Sequence, residues 1–399
     1  MGSHQAKRMA AVLIVGMFAL LTGCSGSSSG GSAGSAAQES SSPAQVGLTP
    51  ADGSVDLPPG TPVQVTVTGG SLGDVTMAAA DGTVVSGELA RSADDPATSV
   101  WTPESPLAYG TSYTLTAKAA NAAKDVATVT SAFTTVTPAT VSTPSIGPLN
   151  GTTVGVGMPI RVYFDQPVTD KAAVEKHLTV TSSAPTDGGW NWISDKEVHF
   201  RPSTYWPADT DVTLSAALYG VDFGDGIWGE KDRTVSFHIG ASHVSVADAA
   251  AHTLTVKDGD TVVQTYPMSA GSTANPTHNG AHVVLQSYRN ITMDSSTFGL
   301  AVDAPGGYRS DVEYAVRISN NGEFVHAAPW SVGQQGSSNV SHGCVNLSTD
   351  RAAWFFDFSQ PGDVVEVVNS IGPTLSRADG DIYDWAIPWA QWKAGSALS

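Results

Sequence analysis

The chain has 399 residues, room for two to four domains at about 100 to 200 residues each, and 19 Lys and Arg against 37 Asp and Glu give a net charge of −18. That field repels phosphate backbones, which argues against nucleic acid as a partner. Charged residues make up only 14% of the chain, beside 41 Gly and 23 Pro, a mix that favours short strands and turns over long salt-bridged helices.

The fold class expected is therefore mostly β. The only two cysteines, Cys24 and Cys344, can build neither a disulfide-dense scaffold nor a four-cysteine zinc site. No His-Glu-x-x-His element occurs either, so zinc hydrolysis has no visible ligand set. No cofactor is required by anything in the sequence.

Lys7 and Arg8 precede the apolar run Met9 to Leu21, the order of a secretory signal and too short for a comfortable membrane span. Leu21-Thr22-Gly23-Cys24 follows and resembles the lipobox of bacterial lipoproteins. The resemblance implies a leader over 1–23, acylation of Cys24, and an extracytoplasmic protein held to the cell membrane by lipid. Residues 24–44 are Ser- and Gly-rich with almost nothing apolar to bury and read as a tether.

Residues 45–140 and 141–240 repeat one another, at a spacing of 97 to 98 in their opening segments and 99 to 104 downstream. Pro50 and Gly53 correspond to Pro148 and Gly151, Pro62 to Pro159, Trp101 to Phe200, Tyr113 to Val212 and Phe133 to Phe237. Val63, Val65 and Val67, like Ile160, Val162 and Phe164, alternate as one face of a strand. Units of about 100 residues built this way suggest immunoglobulin-like sandwiches acting as spacers or docking surfaces. In the second, Asp222, Asp225 and Gly226 lie in a tight turn that could hold a structural calcium, although a solvated Asp-Gly hairpin explains it as well.

From about residue 241 the texture changes. His243 to Val246 and Thr253 to Val256 predict a hairpin, and His243, His252 and His282 read as strand residues. Ser348 is placed to cap a helix carrying Trp354, Phe355 and Phe358 as its buried stripe, with Pro361 ending it. An unpaired thiol outside the cytoplasm calls for a reason, and Cys344 has one as a nucleophile. A free thiol has a pKa of about 8.5, so a nearby histidine must take its proton; His326 and His342 are available. Gly343 permits close backbone approach to a substrate. Composition and spacing alone leave a buried inert cysteine open as well.

His326, fourteen further residues, and then Ser341-His342-Gly343-Cys344-Val345-Asn346 resemble the signature of the L,D-transpeptidase (YkuD-like) catalytic domain, in its actinobacterial, mycobacterial-type branch. Ile291 to Gly299, Gly307-Tyr308-Arg309 and the tail Asp384 to Trp392 carry the likeness further. It implies a β-sandwich catalytic domain with a few short helices over 241–370, and an aromatic extension over 371–399 that packs on it.

The resemblance also assigns roles. Cys344 is the nucleophile toward the diaminopimelate to D-alanine amide of a peptidoglycan stem, and His326 the base, oriented by the Ala327 carbonyl. His342 tunes the thiol. Tyr308 and the amides around Gly343 and Cys344 line the oxyanion site. Met293, Phe298 and Trp330 form a lid or pocket wall, and Asn321, Gly322, Ser341 and Asn346 contact the peptide. Carbapenem β-lactams are implied as covalent inhibitors. His278 departs from the relatives' residue and receives no catalytic role. A stem-trimming carboxypeptidase or cysteine peptidase, and a non-catalytic wall-binding lipoprotein, are the alternatives.

Overall fold

The computed structural model describes residues 42–399 except 96, 300 and 381. The expected leader and Cys24 lie outside the described residues, and of Phe298 only the backbone is described. Among the described residues no helix is long and apolar enough to cross a membrane.

The fold is mostly β, and the repeat read from the sequence is a repeat of topology. In the first module Gln45–Thr49, Val63–Thr68, Thr98–Pro103 and Gly87–Arg91 form one sheet, in that order. The facing sheet runs Ser54–Leu57, Val126–Thr135, Ser112–Ala120, Ser71–Ala79 and Val84–Val85. The second module repeats the first order with Ser145–Gly147, Ile160–Tyr163, Glu197–Pro202 and Gly188–Ser194, and the second, without a counterpart of Val84–Val85 in that sheet, with Thr153–Val154, Arg233–Ile239, Thr210–Ala216 and Leu178–Ser182. Each matched pair named above falls on or beside equivalent strands, and the peptide bonds before Pro50 and Pro148 are both cis. Along Val63–Thr68 burial alternates strictly, with the three valines inside, because successive side chains point to opposite faces.

The Asp222 segment is a hairpin: Asp222–Gly224 pairs with Ile227–Gly229, and the Asp222 carboxylate accepts from the Gly224 amide at 2.8 Å. Among the described residues no three His, Cys, Asp or Glu side chains converge to hold a metal.

The C-terminal third packs two sheets. One orders Thr261–Pro267, Thr253–Asp258, His243–Asp248, Val364–Val368 and Gly280–Val283; the other orders Gln286–Asp294, Arg309–Arg317, Phe324–Ala327 and Val345–Leu347. The predicted hairpin is present, with His252 in a turn and not in a strand. The helix is Thr349–Phe358, with Ser348 at the N-cap position; its hydroxyl makes no capping bond to the backbone and donates to the Asp350 carboxylate instead. Its fully buried contacts are Ala352 and Phe355; Trp354 and Phe358 are only half-buried and stack on one another at 4.9 Å. The helix lies across the sheet and covers it with one narrow stripe, leaving the flanking rings at the rim.

The second module is not a detached spacer. Its core runs on without a break into Ala281, Val283, Val364 and Ile382. At the seam the Gly155 and Gly157 amides donate to Pro361 and Gly362 carbonyls, both at 2.8 Å, and a Cβ on Gly155 would fall 2.2 Å from the Asp363 nitrogen.

The aromatic extension departs from expectation in its partner. It packs chiefly on the second module and only in part on the catalytic domain. Trp392 is wholly buried and donates to the Gly189 carbonyl at 2.8 Å. Trp385, Trp389 and Trp392 surround the Arg201 guanidinium at 4.7, 5.2 and 4.6 Å. The reason is electrostatic as well as apolar: Arg201 is a buried cation whose charge finds ring faces, and His199 beside it meets Asp384 of the extension at 2.7 Å.

Candidate active site

Cys344 sits at a strand entrance. Val345–Leu347 runs parallel to Phe324–Ala327, with His326 opposite Asn346, so the parallel pairing brings together two motifs that the sequence separates. Before the strand the chain makes a turn in which Ser341 Oγ accepts from the Gly343 amide at 3.1 Å and donates to the Cys344 carbonyl at 2.6 Å. Gly343 has φ +119°, a region that a side chain disfavours. The Thr277 hydroxyl donates to the Gly343 carbonyl at 2.8 Å from behind.

Cys344, His326, His342, Tyr308, Met293, Trp330, Ser341 and Asn346 all line one cavity of about 250 Å³. Ser310, Val312 and Val340 complete it. The first two are legible in principle, since Tyr308, Ser310 and Val312 alternate along one strand face; the sequence motif itself singles out only Tyr308. A second cavity shares Met293 and Tyr308 and reaches Gly322.

His326 is buried, and its Nδ1 lies 2.8 Å from the Ala327 carbonyl oxygen. A carbonyl only accepts, so Nδ1 carries the proton and Nε2 has the lone pair. Burial lowers the His326 pKa to about 4, against the Ala327 hydrogen bond that opposes it. Burial likewise raises the Cys344 thiol to about 12. The resting groups are therefore neutral, a thiol and an imidazole base that line the same cavity. The thiol points to the Gly322 carbonyl, 3.6 Å away. Burial, then the neighbouring Cys344 and Asp294, raise the Tyr308 phenol to about 12, which keeps it a hydrogen-bond donor at neutral pH. The His342 ring packs on Tyr308 at 4.9 Å.

Two of the expected site residues are placed otherwise. The Gly343 amide is committed to Ser341 Oγ and is not free to line an oxyanion site; the tight turn that presents the thiol consumes it. Asn321 does not line the cavity. Its amide donates to Asp379 Oδ1 at 3.2 Å, because the turn carrying it faces the C-terminal segment. Asn346 does line it, with Nδ2 bonded to Ser331 at 3.1 Å and a buried Oδ1 that has no partner. Trp330 is 60% exposed at the rim.

The family profile of the bacterial Ig domain matches residues 54–222, and that of the L,D-transpeptidase catalytic domain matches 242–367. L,D-transpeptidase 2 of Mycobacterium tuberculosis is 42% identical over 346 residues, 87% of this chain and 83% of the relative. The chain belongs to the L,D-transpeptidase family. L,D-transpeptidase 5 of the same species is 40% identical over 88% of this chain and 76% of its own length. A solved L,D-transpeptidase in complex with imipenem matches with a TM-score of 0.51 and 39% identity, over 58% of this chain and all of that one. In this L,D-transpeptidase the arrangement suits acyl transfer: a thiol, a neutral base with a fixed tautomer, and a phenol that can donate, around one cavity.

Proposed function

We propose that this L,D-transpeptidase joins two peptidoglycan stem peptides through a thioester on Cys344, forming 3-3 cross-links between diaminopimelate residues. The observation that carries the reading is the shared cavity of Cys344, His326 and Tyr308. The Cys344 proton passes to His326 Nε2 as sulfur attacks the stem carbonyl. The tetrahedral oxyanion is met by the Tyr308 hydroxyl, where a single donor contributes about 10² to 10³ in rate. Collapse breaks the C–N bond, and the imidazolium returns the proton to the departing D-alanine amine. An acceptor amine then attacks the thioester, gives its proton to His326, and the thiol is restored.

Neutrality at rest fits this order. Charge separates only when a carbonyl is in place to receive the electron pair, which keeps a thiolate from standing exposed to oxidants. His342 orients Tyr308 through ring contact, Met293 and Trp330 wall the peptide, Asn346 Oδ1 receives a substrate N–H, and Gly322 borders the second cavity. A carbapenem offers a strained carbonyl to the same sulfur and acylates it. The lipobox-like segment supports anchoring at Cys24, with the site facing the cell wall.

The test is intact-protein mass spectrometry after incubation with a tetrapeptide stem and with imipenem, wild type beside Cys344→Ala. A mass increase confined to wild type, with a cross-linked dimer among the products, is expected. Tripeptide without dimer would make the enzyme a carboxypeptidase, and adducts on both proteins would remove Cys344 from the chemistry.

A further inference from the structure

Directly behind the nucleophile lies a buried ionic cluster for which the acyl-transfer chemistry above has no use. Glu323 is 4% exposed. Its Oε1 accepts from the His278 amide at 2.9 Å and meets His278 Nδ1 at 2.8 Å. The other ring nitrogen of His278 lies 3.2 Å from Asp379 Oδ1. Glu323 Oε2 is buried with no hydrogen-bond partner; the nearest cation-forming group is His282 Nδ1 at 3.5 Å, itself 3.2 Å from the Ile318 carbonyl.

Three contacts tie this cluster to the reacting sulfur. The carbonyl of Gly322, the residue preceding Glu323, is the thiol's acceptor. The Glu323 side chain abuts Gly343, where an added Cβ would sit 3.6 Å from its Cγ. Thr277, the residue preceding His278, bonds the Gly343 carbonyl. The cluster thus grips both sides of the turn that presents Cys344.

We propose that Glu323, held by His278, is a positioning residue for Cys344, and that its charge, balanced by a protonated His278, governs how readily the thiol gives up its proton. The physical reason is simple. A buried carboxylate disfavours a nearby developing thiolate, and a cation between that carboxylate and Asp379 cancels much of the effect. The titratable and charged groups facing the pair are Asp379 and His282 on the cluster side, and Arg317 near Cys344, which favours the thiolate. The Glu323 hydrogen bond first, then the charges of Glu323 and Asp379, hold His278 above its ordinary value despite burial, in keeping with this role. As pH rises through the His278 value the carboxylate is left unbalanced, and Cys344 becomes harder to ionise.

The inference rests on Cys344 as nucleophile but not on the stem-peptide reaction, and the experiment separates the two. In the full chain, iodoacetamide alkylation of the Cys344 peptide and imipenem acylation are followed by mass spectrometry from pH 5 to 10. Wild type is compared with His278→Ala, His278→Gln, Glu323→Gln and the double variant His278→Ala/Glu323→Gln. Loss of the His278 charge should slow alkylation about tenfold at pH 7, one unit of thiol pKa. Glu323→Gln should not slow it, and the double variant should return to near the wild-type rate, since a neutral amide needs no cation. The ratio of wild-type to Glu323→Gln rates should fall as pH rises through the His278 value.

A merely structural role gives the opposite: a double variant slower than either single one, and rate ratios independent of pH. Either result overturns the proposal. His278→Gln keeps a donor toward Glu323 and serves if His278→Ala does not fold. Alkylation that follows the predicted pattern while imipenem leaves no adduct would retain the positioning role and refute the acyl-transfer reading.

Discussion

The Nδ1 of His326 faces the main-chain oxygen of its own neighbour, Ala327, at 2.8 Å. The contact uses backbone, so the residue type at 327 is free while the ring's tautomer is not. Ala327 serves as well as a hydroxyl-bearing residue would.

Burial of His326, which outweighs that contact, sets an acid limit for the proposed base. A base whose pKa is lowered to about 4 remains unprotonated down to that pH. Acylation of Cys344 by imipenem, followed by the loss of carbapenem absorbance, should hold its rate from pH 7 to about pH 5 and fall only near 4. A fall centred near the ordinary histidine value of about 6.5 would mean that the resting imidazole is solvated.

Ser341 holds the turn before Cys344 through two bonds to one hydroxyl. Ser341→Ala should lower imipenem acylation by roughly 10- to 100-fold, the order expected from misplacing a reacting atom by about 1 Å, with little change in melting temperature. Ser341→Thr, which keeps the hydroxyl, should recover most of the rate. Equal rates in all three proteins would show that the turn holds without the side chain.

The seam between the second module and the extension has its own pH dependence. Burial acts to lower His199, but Asp384 and Glu197 outweigh it and raise it to about 9. A raised histidine stabilises fully below its unfolded value of about 6.5, and the contribution is lost as pH climbs through 9. The full effect is on the order of 3 kcal/mol. Melting temperature should therefore decline between pH 7 and 9.5, and His199→Gln should flatten that decline. A wild-type curve as flat as the variant's would argue that His199 is neutral when folded.

Trp392 is the buried end of the same seam. Trp392→Ala removes a filled volume and the bond to Gly189, which should lower unfolding free energy by about 3 to 5 kcal/mol in urea titrations. Limited proteolysis should then cut the extension first. Unchanged resistance would place the stability of this region elsewhere.

What the sequence determined by itself was local or repeated. The valine alternation in 63–67 announces a strand because side-chain period is a property of the backbone. The paired prolines and glycines near 50 and 148 announce a duplication because both copies need the same turn. The Ser341 to Asn346 motif points to Cys344 through its resemblance to the family signature, since composition and spacing alone leave an inert cysteine open. Partnership across space was decided only by the tertiary structure. Trp385, Trp389 and Trp392 read as apolar mass in search of a surface, and only the folded chain supplies Arg201, some 180 residues away, as the cation they enclose. Glu323, His278 and Asp379 are ordinary charges in the sequence. They become a cluster behind Cys344 because strand pairing and the returning C-terminal segment bring three distant turns to one place, where low polarity makes each charge depend on the others.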